Sequence, residues 1–100
     1  MEDELALPHG FALVRTTPAF DENSVPTGLL HRHQVAAGVW GRLVVRSGSV
    51  DVVFDEWPLD PRHGAPGSPI LIPPERVHHV VTTGPVGFVV EFYRAPIAQR

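Results

Sequence analysis

Eleven prolines and nine glycines cut the hundred-residue chain into short pieces, and no other feature limits its fold so strongly. Proline lacks an amide proton and fixes φ, and glycine loses the most freedom on ordering, so neither is at home inside a helix. Between the breaks the apolar runs are rich in valine, whose branched side chain packs well on a pleated surface. These runs read as strands over residues 11–14, 29–33, 39–46, 49–54, 70–72, 78–82 and 86–93, and no segment offers a convincing helix. Arg46-Ser47-Gly48-Ser49 lies between two of them, where a glycine with positive φ predicts a tight hairpin pairing 39–46 with 49–54. Residues 55–68, with proline at 58, 61 and 66, read as a long surface loop. Short strands with turn signals between them predict an all-β antiparallel barrel or sandwich without substantial helix. One hundred residues suit a single domain over residues 1–100.

The formal charge of −3 offers no basic field to a polyanion, so nucleic acid and anionic membrane surfaces are poor partners. A small molecule or an oxyanion fits better. The absence of cysteine removes disulfides, thiolate nucleophiles and thiolate-bound zinc, leaving imidazole and carboxylate as the metal ligands available. The acidic start MEDELALPHG lacks the basic and apolar regions of a secretory signal, and no window reaches membrane-spanning length, so a cytoplasmic protein is expected.

Two histidine groups carry the candidate chemistry. His31 and His33 flank Arg32, and on a strand the two-residue period places both imidazoles on one face. Alone, such a pair is better explained by two solvated side chains. In Ile72-Pro73-Pro74-Glu75-Arg76-Val77-His78-His79 a rigid diproline turn fixes where the chain re-enters a strand at His78. His78 and His79 face opposite ways, so only one of them enters an interior. Glu91 interrupts the apolar run Phe88-Val89-Val90-Glu91-Phe92-Tyr93. Inside, it would need a metal, an arginine or a proton as partner; outside, it would face solvent or pair with Arg42 or Arg94.

An early-strand histidine, then Pro73 followed five positions later by His78, resembles the two histidine motifs of the cupin superfamily, whose fold is a small antiparallel double-stranded β-helix. Glu75 stands at the usual glycine position of the second motif, and the glutamate of the first is missing. The segments Leu7-Pro8-x-Gly10-Phe11, Arg15-Thr16-Thr17-Pro18, Val25-Pro26-x-Gly28-Leu29, His33 with Gly38-Val39-Trp40-Gly41-Arg42-Leu43, Pro73-Pro74-Glu75-x-x-His78 and Glu91-Phe92-Tyr93 are similar to the TehB/YeaR-like cupin family, associated with tellurite resistance. In that family the domain stands alone or precedes a methyltransferase. This chain carries no S-adenosylmethionine-binding signature, so methyl transfer is not carried over.

The resemblance implies a divalent metal on His33 and His78. Glu91 falls at a position acidic in some members, and His31, without a dependable counterpart, stands as a further imidazole. Zinc, iron, manganese and nickel all suit such ligands. It also implies a homodimer joined through sheet edges. Three functions follow for test: a metalloenzyme acting in oxyanion or oxidative stress resistance, a non-catalytic module binding a metal or small molecule, and a structural protein whose histidines hold nothing. Trp40, Phe54, Phe88 and Phe92 read as core, and Arg42 and Arg46 as a solvated face.

Overall fold

A computed structural model describes residues 6–95. They form β1 (Ala12–Thr16), β2 (Phe20–Asp21), a 3-10 turn at Thr27–Leu30, β3 (Val39–Phe54), β4 (Arg62–Gly64), β5 (Ile70–Ile72) and β6 (His78–Arg94). No α-helix occurs among the described residues, and every strand pairing is antiparallel, as the punctuated, valine-rich sequence requires. None of the helical segments described is long and apolar enough to cross a membrane.

The frame is a pair of very long strands. β3 and β6 run side by side from Val39 opposite Arg94 to Phe54 opposite His78. β5 and β4 line the outer edge of β3, while β1 and β2 line the outer edge of β6. The path β1-β6-β3-β4 ends on β1 and β4 and does not return on itself, so the described sheet is bent rather than closed into a barrel.

Four local expectations are corrected. Residues 39–46 and 49–54 do not pair with each other; they are halves of one strand, and Gly48, at φ 70°, sits in an irregular stretch of the β3–β6 ladder. There the buried positions of β3 change parity, from Val39, Gly41, Leu43 and Val45 to Val50, Val52 and Phe54. An extra residue in one strand does this by turning everything after it to the other face. β6 bends at the same place, around Pro85, so that its two halves, 78–82 and 86–93, belong to one strand as well. Residues 29–33 also fail to form a strand. Pro26 accepts a hydrogen bond from the Leu29 amide at 2.9 Å, closing the 3-10 turn, and extended pairing resumes only at His33. Within the expected loop 55–68, Arg62–Gly64 pairs with Val50–Val52 as β4.

Leu43, Val50, Val52, Phe54 and Phe88 are wholly buried. Phe88 meets Phe20 edge-on with ring centres 5.8 Å apart, and Trp57 meets Phe54 at 6.0 Å beneath the guanidinium groups of Arg62 and Arg76. A buried aromatic or leucine contributes about 1.5–3 kcal/mol. This cluster therefore carries much of the stability of so short a chain.

Candidate functional site: a histidine pair at the foot of a cavity

The residues that place His33 lie beside those that place His78. The His33 amide donates to the His78 carbonyl at 2.8 Å, and the His78 amide donates to the His33 carbonyl at 2.9 Å. Next along, the Glu75 amide donates to the Val35 carbonyl at 2.8 Å and the Gln34 side-chain amide donates to the Glu75 carbonyl at 3.1 Å. Arg32 pairs with Asp55 at the end of β3, fixing the segment from its other side. The diproline turn thus aims His78 and also anchors the strand-like residues that present His33.

Glu75 holds the only positive φ of a non-glycine residue described, 63°. It occupies the position where the second histidine motif ordinarily has glycine, and the left-handed backbone gives the reason. Such a conformation costs an ordinary residue about 1–2 kcal/mol. Glu75→Gly is expected to stabilise the fold by about 0.5–1 kcal/mol after the added freedom of the unfolded chain is counted. A urea midpoint at or below that of the parent would contradict this account of the turn.

The two imidazoles stand edge-on at 87° with ring centres 5.4 Å apart. His78 is 1% exposed. Its Nδ1 lies 2.8 Å from the Arg76 carbonyl, which can only accept, so Nδ1 carries the proton and Nε2 keeps a free lone pair. Burial pushes the His78 imidazole below its usual pKa, helped by the charges of His33 and His79 and opposed by the Arg76 carbonyl and Asp55. His78 is thus held neutral, in one tautomer, with its lone pair committed to nothing in its own turn.

Both rings wall a cavity of ≈ 210 Å³ whose other sides include Phe20, Leu29, Leu43, Val80, Val90 and Phe92. Val80 and Val90 come from opposite halves of β6, which the bend around Pro85 folds toward one another. A metal at this place would meet a partial donor set. Two imidazoles on one tetrahedral ion, with nitrogen about 2.0–2.1 Å from the metal, bring their ring centres to about 5 Å. The observed separation matches. Among the described residues, however, no third histidine or carboxylate joins them to make a three-ligand group.

The structure brings His33 and His78 together and leaves His31 and Glu91 apart. His31 ends the 3-10 turn, exposed, because the chain there is not a strand and the same-face relation of His31 and His33 does not apply. Glu91 lies between Val90 and Phe92, whose side chains wall the cavity, and so points to the other face of β6. There it accepts a hydrogen bond from the Tyr93 hydroxyl at 2.7 Å, which raises the pKa of that phenol, and stands 3.8 Å from Arg42. Arg15, which sequence reasoning passed over, lines the cavity beside His33. Its placement depends on strand register, which local sequence does not display.

Comparison with known proteins places this chain among relatives. The TehB-like domain matches residues 15–90. The protein YeaR of Escherichia coli strain K12 is 29% identical over 92% of this chain and 85% of its own length, and YeaR of Escherichia coli O157:H7 matches to the same extent. A crystal structure of a protein from Escherichia coli strain K12 superposes with a TM-score of 0.85 at 27% identity, covering 94% of this chain and 100% of the other. The crystal structure of TehB from Haemophilus influenzae has the same fold, with a TM-score of 0.78 at 20% identity. The match covers 87% of this chain and 32% of that TehB, so this chain corresponds to about a third of it.

Proposed function

The chain belongs to the TehB-like domain family, and from that premise we propose that it is a binding module in which His33 and His78 hold a divalent metal and, through it, a small ligand. The observation that carries this reading is the meeting of two imidazoles at 5.4 Å, one of them buried, neutral and fixed as the Nδ1–H tautomer, at the wall of a largely apolar cavity. The Arg76 carbonyl acts on His78 as carbonyls and carboxylates act on metal-bound histidines, setting the ring's orientation and leaving Nε2 as the donor. With two protein ligands, a divalent ion supplies a Lewis acid with open positions for oxygen donors. The apolar wall keeps bulk water from His78 and orients the rest of the ligand. The tellurite-resistance association of the family makes oxyanions a natural first set of ligands to try.

The test is metal titration of the purified protein with zinc, iron(II), manganese and nickel, followed by elemental analysis after dialysis. One equivalent should be retained. His33→Ala, which alters a partly exposed side chain, and His78→Gln should each weaken binding on the order of 100-fold with the far-ultraviolet dichroism unchanged. Glu91→Gln and His31→Ala should leave the affinity as it was, since neither faces the cavity. Equal retention by the parent and both histidine-pair variants would end the proposal.

A further inference from the structure

Building on that reading of the histidine pair, we propose that the ligand is a small organic anion, its charged group held at the cavity mouth by Arg15 and Arg94 and its apolar body lodged beside His78. The inner cavity adjoins a second, of ≈ 410 Å³, and Arg15, His33, Val35 and Phe92 line both. Gln34 and Arg94 belong to the outer one alone. Val90, Phe92 and Arg94 are alternate residues of β6 and share a face, so one strand runs from an apolar floor through an aromatic step to a cation.

Arg15 reaches that face through an irregularity in β1. Leu13 stands opposite Tyr93 and Arg15 opposite Phe92, so Val14 is an extra residue in the ladder. In an unbroken ladder Arg15 would stand opposite Glu91, on the far face from the cavity. The bulge turns it to the Phe92 side, with its guanidinium carbon 5.4 Å from that ring's centre. Among the described residues no carboxylate pairs with Arg15, Arg46 or Arg94, and of these three only Arg15 and Arg94 line a cavity, whereas Arg32, Arg42, Arg62 and Arg76 each have an acidic neighbour. Two cations with no acidic partner among the described residues, at the entrance of a cavity in a chain of net charge −3, are a local reversal of sign that draws anions.

The inner lining decides between a bare inorganic anion and an organic one. Leu43, Val80 and Val90 offer an oxyanion no hydrogen bond, and a ligand without an apolar part would leave that surface unmatched. An apolar cavity of about 150 Å³ accommodates benzene. The inner cavity, at ≈ 210 Å³, therefore has room for a ring or a short branched chain behind a carboxylate.

Benzoate and isovalerate, with neutral benzamide as the uncharged counterpart of benzoate, test this by calorimetry and amide chemical-shift mapping on the whole chain, metal-free and with one equivalent of zinc. Benzoate is expected to bind at least about tenfold more tightly than benzamide, the gain of a charge-assisted contact. Salt should reduce that advantage. The Arg15→Gln/Arg94→Gln double variant changes two exposed side chains and should retain zinc while losing the advantage. Equal affinity for benzoate and benzamide, or an advantage that survives in the double variant, would overturn the proposal. So would the failure of both carboxylates to bind a protein that takes up zinc through His33 and His78, and that result would leave the histidine pair standing. Loss of zinc uptake and carboxylate binding together would remove both readings.

Discussion

Gly48→Ala will lower the stability of the fold by about 2–4 kcal/mol, because the new methyl group meets both a conformational penalty and a fixed obstacle. At φ 70° the residue lies in the left-handed region, and an added Cβ would lie 2.1 Å from the Pro85 carbonyl oxygen, 3.0 Å from its carbonyl carbon and 3.1 Å from the Val86 Cα. These are backbone atoms of the neighbouring strand, held by the ladder on either side, so they cannot swing away as a flexible side chain would. Gly67 separates the two causes. It has φ 86° with nothing within 4 Å of its built Cβ, and Gly67→Ala should show the conformational part alone, about 1 kcal/mol. Urea unfolding of both variants measures the difference, with the slope unchanged if only the native state is affected. Equal losses would mean that close approach at Pro85 is not what requires the glycine.

This glycine marks where local sequence ceases to determine structure. Positive φ at Gly48 is legible in the sense that a glycine between two valine-rich runs needs an explanation, but a hairpin turn and a bulge within one long strand both use it. The choice depends on Pro85, distant in the chain, which presses its carbonyl against the glycine. The same reach governs the site. Pro73, Pro74 and His78 are close in sequence, and their local pattern locates the turn and the buried ring. His33 needs a partner strand, which its reciprocal hydrogen bonds with His78 supply. Alternation does not settle the face of Glu91 because Phe88, Val89 and Val90 before it are all buried, so neither face of the strand looks polar. Arg15 is hidden for a related reason: a bulge at Val14 decides its face, and nothing in Leu13-Val14-Arg15 announces one. Fold class follows from composition and local breaks, whereas register, and every side chain whose face depends on it, comes from contacts distant in sequence.

Acid will destabilise the metal-free protein through His78, beginning near the ordinary imidazole value of about 6.5. Burial lowers the pKa of the folded ring, so below that value the unfolded chain takes up a proton that the folded one refuses. The sign follows from linkage: the contribution of neutral, buried His78 is complete above the unfolded value and is lost as pH falls toward the folded one. One proton bound only in the unfolded state makes stability fall by at most about 1.4 kcal/mol for each pH unit. His78→Gln supplies the control, because its side-chain amide can still donate to the Arg76 carbonyl but cannot titrate. The parent should weaken more steeply than the variant between about pH 6.5 and 5, where carboxylates contribute to both. Denaturant midpoints read at half-unit steps give the two slopes, and their difference isolates the one group. Coincident slopes would show that His78 is protonated in the folded protein at mild acidity. In that case burial would not be what holds the ring neutral, and its Nδ1–H tautomer above the imidazole value would rest on the Arg76 carbonyl alone.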